Sequence, residues 1–116
     1  MSRSTGAVGE LIAKQYLLAQ GLRWITSNYY CLFGEIDLIM RDGEYLVFVE
    51  VKQRRSMAFG GALASVTWQK QKKIIKTAQY YQLTQKQSQN LPCRFDLLTL
   101  QGTPPIIDWI KNAINS

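Results

Sequence analysis

The sequence contains no histidine. That absence removes Ser-His-Asp and Cys-His nucleophilic catalysis, and the HExxH zinc motif, from the chemistry open to it. Cysteine is scarce: Cys31 and Cys93 are the two present, too few without histidine for a standard structural zinc site. A disulfide between them stays open on sequence alone, but two thiols without a secretory signal point to a reduced, cytoplasmic protein. Long apolar runs are also missing. The longest strongly apolar stretch, residues 45–49, falls far short of the roughly 18 residues of a membrane span. Glu10 and Lys14 interrupt the N-terminal stretch after Arg3, which argues against a signal peptide. Finally, residues 51–95 contain no acid at all.

What is present describes an ordinary folded protein. The 116 residues, 47% hydrophobic and 19% charged, predict one domain over 1–116 with a single core. The net charge is +6 and unevenly placed. Glu35, Asp37, Asp42, Glu44 and Glu50 cluster ahead of the acid-free stretch, which holds Lys52, Arg54, Arg55, Lys70, Lys72, Lys73, Lys76, Lys86 and Arg94. An acidic block followed by a basic one suggests a polyanionic partner, set against the simpler account that lysines solvate a helix face.

Periodicity supplies the elements. Val8, Ile12, Tyr16 and Ala19 recur at helical spacing over 7–20, with Gly21 as the stop. Residues 23–30 read as a strand, rich in β-branched and aromatic side chains. Residues 35–41 alternate, with Ile36, Leu38 and Met40 on one face and Glu35, Asp37 and Ile39 on the other. Asp42-Gly43 predicts a two-residue hairpin turn, and 45–52 the returning strand. Residues 53–64 read as a loop and 66–82 as a second helix, capped by Ser65 or Thr67 and burying Ile74, Ala78 and Tyr81. Residues 94–100 are a fourth strand, and 108–114 a short terminal helix.

The hairpin carries the chemistry. A turn on Asp42-Gly43 pairs Arg41 with Glu44, and counting outward sets Asp37 opposite Phe48 and Glu35 opposite Glu50. Glu35, Asp37, Glu50 and Lys52 then share a face, with Asp37 and Glu50 diagonal neighbours. A one-residue slip would reverse this. Two carboxylates about 5 Å apart repel by about 3 kcal/mol at an effective dielectric of 20. One lysine offsets this in part; a divalent cation would reverse it, and magnesium takes one or two carboxylates together with phosphate oxygens. The plainer account is a strand emerging into water with Glu50 paired to Lys52.

Gly34-Glu35-Ile36-Asp37, a hairpin, and Val49-Glu50-Val51-Lys52 together resemble the PD-(D/E)xK nuclease motif, with Ile36 where the motif has proline. Gly9-Glu10, Val47-Phe48, Arg54, Phe59-Gly60, Ser65-Val66-Thr67, Lys70, Ala78, Arg94-Phe95-Asp96 and Trp109-Ile110-Lys111 extend the match. On these segments the chain resembles the YraN-like family of small bacterial proteins, themselves similar to archaeal Holliday-junction resolvases. The resemblance implies an α/β fold with a restriction-endonuclease-like αβββαβ core, a central mixed sheet flanked by helices. It implies a magnesium- or manganese-dependent nuclease acting on DNA, with branched or structured DNA as substrate. Glu10, Asp37, Glu50 and the Val51 carbonyl would hold the metal, and Lys52 would be the catalytic lysine. Arg54, Arg55, Lys70, Lys72, Lys73 and Lys76 would contact nucleic acid, mostly phosphate. Trp68, Met57 and Phe59 are candidates to stack on bases, while Asp96 beside Arg94 reads as a structural ion pair. Symmetric cutting of two strands implies a homodimer, with Trp109 and Ile110 as candidate contacts. Two other readings stand beside the enzyme: a nucleic-acid-binding module that keeps the fold without cleavage, and an interaction domain for an acidic protein.

Overall fold

The first helix, α1 (Ser4–Ala19), turns Gly9 toward the sheet. A Cβ at Gly9 would meet the Gln53 side chain at 2.5 Å, so glycine leaves that side chain room between helix and sheet. The line that faces the sheet is therefore Gly9, Ala13 and Leu17, flanked by Ile12 and Tyr16. Val8 and Ala19, expected in the buried stripe, are exposed instead. The helix ends as Gly21 predicts. Gly21, at φ +100°, donates to the Leu18 carbonyl, and Leu22 donates back to Leu17.

In this computed structural model residues 4–54 and 66–114 are described, with the side chains of residues 4 and 5 excepted. Three strands follow α1: β1 (Arg23–Cys31), β2 (Gly34–Asp42) and β3 (Tyr45–Arg54). Helix α2 (Trp68–Thr84) then crosses to β4 (Cys93–Gln101) by way of a short 3-10 turn at Lys86–Ser88, and β5 (Ile106–Ile110) closes the order. The five strands form one mixed sheet in sequence order, parallel between β3 and β4 and antiparallel elsewhere. A parallel pair requires a crossover, and α2 supplies it.

β3 is the central strand. Leu46 and Phe48 face α2, where Ile74, Ala78, Tyr81, Phe95 and Leu97 complete one core. Val47 and Val49 face α1 with Ala13, Leu17, Leu98 and Leu100 in the other. The sheet is thus covered on both faces, the α/β arrangement expected.

Three details depart from the sequence reading. The β2–β3 turn is Gly43-Glu44, because Asp42 pairs with Tyr45. Gly43 alone has positive φ, the type II′ pattern, which frees Asp42 to bind Arg94 at 3.0 Å. The slip is two residues, an even number, so by itself it turns no side chain to the other face. Second, Ile36 does not share a core with Leu38 and Met40; it packs with Ile39 on the α2 side. The alternation breaks where Asn28, at φ +54°, lies between the Ser27↔Leu38 and Tyr29↔Ile36 pairs. Third, the expected terminal helix is strand β5. Ile106-Ile107-Asp108-Trp109-Ile110 is rich in β-branched and aromatic residues, and it pairs antiparallel with β4.

Asp96 fastens that last strand. Its fully buried carboxylate accepts two bonds from Arg94, one from the Trp109 indole at 2.9 Å and one from the Asn112 backbone at 2.9 Å. Trp109 and Ile110 are accordingly half-buried in the two cores, not displayed as contact residues. β3 also runs two residues into the expected loop, with Gln53 and Arg54 paired to Leu100 and Gln101. Among the described residues both cysteines are free. No helix among them is long and apolar enough to cross a membrane.

Candidate functional site

The site forms where the two central antiparallel strands part. The β2–β3 ladder ends at Leu38↔Val49. Beyond it, the Val51 N–H donates 2.8 Å to Oδ2 of Asp37. A side chain thus replaces a backbone partner, satisfies the freed donor and fixes the carboxylate against β3.

Glu50 follows Val49 on β3 and faces α2, as Leu46 and Phe48 do. Only 6% of its surface is exposed. Lys70, in the first turn of α2, places Nζ 2.7 Å from its Oε2, and Lys52 places Nζ 3.8 Å from the same oxygen. The Thr67 side chain accepts from the Lys70 backbone N–H and sets the start of that helix. Lys70, which the family resemblance offers both as a phosphate contact and as the polar residue that completes such a site, sits within the site. A lysine 20 positions from its acid across a crossover gives no local spacing signal.

Electrostatics mark Asp37 as the group under most pressure. Burial, then the charge of Glu50, pushes its carboxyl up from 3.8 to about 8, against the opposing pull of the Val51 hydrogen bond. Glu10, half-buried on α1, adds a further upward push. Lys52 is shifted down by burial and by neighbouring Lys70. For Lys70, burial acts downward, but the Glu50 hydrogen bond and charge outweigh it and leave the ammonium raised. The result is an acidic pair, Asp37 with Glu50, served by one firmly charged lysine and one eased toward neutrality.

The donors are hard oxygens, of the kind magnesium and manganese take. Asp37 and Glu50 are the close pair. Among the described residues no three carboxylates or thiols converge into a metal-sized cluster, while the charge of Glu10 is felt at Asp37. Sequence reasoning brought Asp37, Glu50, Val51 and Lys52 together, and the fold does the same.

The other named residues lie around this centre. Lys72, Lys73 and Lys76 are exposed along α2, with Lys72 lying 4.3 Å over the exposed Trp68 ring. Arg54 is half-buried at the end of β3, and Glu35 is exposed at the start of β2. Arg94, counted with the basic block, is held between Asp42 and Asp96. Arg55, Met57, Phe59, Gly60 and Ser65 lie outside the described residues.

Comparison with known proteins places the chain. Residues 9–100 match the model of a family described as "Uncharacterised protein family UPF0102". The chain is 45% identical over 116 residues to a UPF0102 protein of Legionella pneumophila (strain Philadelphia 1), covering all of this chain and 98% of the relative. It is 50% identical over 109 residues to one from Saccharophagus degradans, covering 94% and 91%. To one from Psychromonas ingrahamii it is 47% identical over 112 residues, covering 97% and 90%. With the match running through both helices' contacts to the sheet and through the Asp37–Glu50 centre, the chain belongs to the UPF0102 family, the YraN-like family its motifs resemble.

Proposed function

We propose that this protein is a metal-dependent nuclease of the PD-(D/E)xK type that hydrolyses DNA phosphodiesters. The observation that carries the reading is the burial of Asp37 beside Glu50 at the parting of β2 and β3, where desolvation first and the Glu50 charge second push Asp37 up to about 8. Two carboxylates kept this close in a half-buried site oppose stability unless positive charge joins them. Asp37, Glu50 and the Val51 carbonyl would hold magnesium or manganese, with Glu10 adding negative field. A bound ion of this kind supplies Lewis-acid stabilisation of charge developing on a phosphate under attack. Lys52, its ammonium destabilised by burial and by Lys70, would in its neutral form accept a proton from the attacking water. Lys70, held charged by Glu50, faces the phosphate as a fixed cation.

A second reading has its own observation. Lys70 and Lys52 already answer the charge of Glu50, at 2.7 and 3.8 Å. Such a site could be a fixed ion-pair network in a nucleic-acid-binding module that does not cut.

The test is cleavage of labelled duplex, single-stranded, flap and four-way-junction DNA, and of RNA, with magnesium or manganese. Wild type is compared with Asp37→Ala and Glu50→Ala. Cleavage lost in both variants while binding persists supports the nuclease and identifies its substrate. Tight, salt-sensitive binding without cleavage of any substrate supports the binding module. Cleavage that survives both substitutions would remove this site from the chemistry.

A further inference from the structure

We propose that the tip of the β1–β2 hairpin and the exposed stripe of α2 form a stacking platform for unpaired bases, so that the protein favours nucleic acid with a single-stranded segment. The choice of nucleic acid as partner rests on the reading above; the platform itself is a binding surface and is tested as one.

The hairpin tip is built against turn chemistry. Cys31 pairs with Gly34, leaving Leu32-Phe33 as a two-residue loop. Asn-Gly or Gly-containing pairs suit such loops; two large apolar residues do not. Nor do they serve a core, since Leu32 is 84% exposed and neighbouring Tyr30 is 70% exposed.

The tip is nonetheless held in place. The Phe33 ring meets Tyr80 of α2 edge-on, with centroids 5.9 Å apart at 64°, and Lys76 Nζ lies 5.8 Å from the Phe33 centroid. Gly34 makes the approach possible: a Cβ there would come within 3.1 Å of Thr77 Oγ1 and 3.6 Å of the Lys73 Cβ. Phe33 and Tyr80 both keep a third or more of their surface open. Aromatics fixed yet open at one side are what base stacking uses.

The platform continues into the site. Lys70, Lys73, Lys76 and Tyr80 are spaced by three, three and four residues, one stripe along α2. Its first member holds Glu50. Its last member touches Phe33. Ten helical residues span about 15 Å, the length of about four nucleotides at 3.4 Å each. No acid lies on α2, and the acid nearest the tip in sequence is Glu35. Lysine is depleted at protein–protein interfaces, whereas lysines interleaved with aromatics match a strand that offers phosphates and bare bases together. Bases of a continuous duplex are already stacked and gain nothing from the aromatics.

The experiment is equilibrium binding by fluorescence anisotropy, in chelator so that no strand is cut. The probes are a short labelled oligothymidylate and a blunt duplex of equal length. Phe33→Ala and Tyr80→Ala are each expected to weaken single-strand binding about tenfold while duplex binding stays within about twofold. Phe33→Trp, which keeps an aromatic face, is expected to retain single-strand affinity; circular dichroism verifies that each variant is folded. Equal losses on both probes, or none on either, overturn the platform. Single-strand binding that depends on the aromatics, in a protein that cleaves nothing, leaves the platform standing and removes the nuclease. Cleavage by a protein whose single-strand binding ignores Phe33 and Tyr80 does the reverse.

Discussion

Two aspartates show what individual residues contribute. Asp96 is fully buried and accepts four hydrogen bonds, so its charge is answered by Arg94, Trp109 and the Asn112 backbone. Asp37 accepts one from Val51 and is pushed up by burial and by the charges of Glu50 and Glu10. Removing the first leaves the half-buried Arg94 guanidinium with Asp42 alone and the Trp109 indole without its acceptor. Asp96→Ala is therefore expected to cost about 3–5 kcal/mol in urea unfolding. A loss below about 1 kcal/mol would mean that the network is ornamental. Asp37 behaves oppositely in metal-free protein. Its folded-state carboxyl is raised to about 8 from 3.8, so the native state keeps a proton that the unfolded chain gives up. Stability from this group is present below about pH 4 and is lost as pH rises toward 8. Unfolding in chelator across that window should show the decline, and Asp37→Asn should flatten it. A wild-type profile unchanged by the substitution would contradict the crowding of Asp37 with Glu50. Magnesium should flatten the wild-type profile too, by favouring the ionised carboxylate.

At the scale of elements, the structure separates what pattern can specify from what it cannot. Strand β3 was readable because its apolar run and terminal Glu50-Val51-Lys52 report a central strand that ends in a site. The shared face of Asp37 and Glu50 survived a wrong turn assignment only because the error was an even number of residues. Lys70 was not readable as Glu50's partner, since the crossover that joins them erases any sequence spacing. The face of α1 was read in part for a different reason: Gly9 carries no side chain to enter a hydrophobic pattern, yet it lies buried on the line of Ala13 and Leu17 that meets the sheet. The β5 strand lost to a helix reading because five residues are too few for period to arbitrate, and its stability comes from Trp109 reaching Asp96. Two substitutions test these element contacts. Trp109→Phe retains apolar bulk but leaves Asp96 one donor short, and should lower stability by about 1–3 kcal/mol. Gly34→Ala pushes a methyl toward Thr77 at a backbone φ of +153°. It should lower stability by about 1–3 kcal/mol and loosen the hairpin from α2. Hydrogen exchange that rises at residues 30–35 but not in β4 would locate that effect; a uniform rise would assign it to the whole fold.

On the whole molecule, the charge of +6 is divided between cations that are engaged and cations that are open. Arg94 is spent on Asp42 and Asp96, and Lys70 on Glu50. Lys72, Lys73 and Lys76 are exposed along α2, on the helix that carries Lys70 into the site. Arg23 and Arg41 stand directly opposite each other across β1 and β2, at the end of the ladder away from Asp37. They line a cavity of about 320 Å³ with Tyr81 and Gln85, near the C-terminus of α2, where the helix dipole favours cations. The two basic groups therefore occupy different places in the fold, although composition counts them alike. Each phosphate neutralised contributes about 0.9 to the slope of log affinity against log salt. Replacing Lys72, Lys73 and Lys76 together by alanine should reduce the magnitude of that slope by about 2–3 for duplex DNA and weaken binding most at low salt. Replacing Arg23 and Arg41 by alanine removes two charges from the same net total and should leave the slope within about 0.5 of wild type. Titrations of one duplex at several salt concentrations decide the matter. A slope that follows net charge regardless of position would mean that the whole basic surface binds diffusely. A slope that responds to the α2 lysines alone would make α2 the track along which the phosphate backbone reaches Lys70 and Glu50.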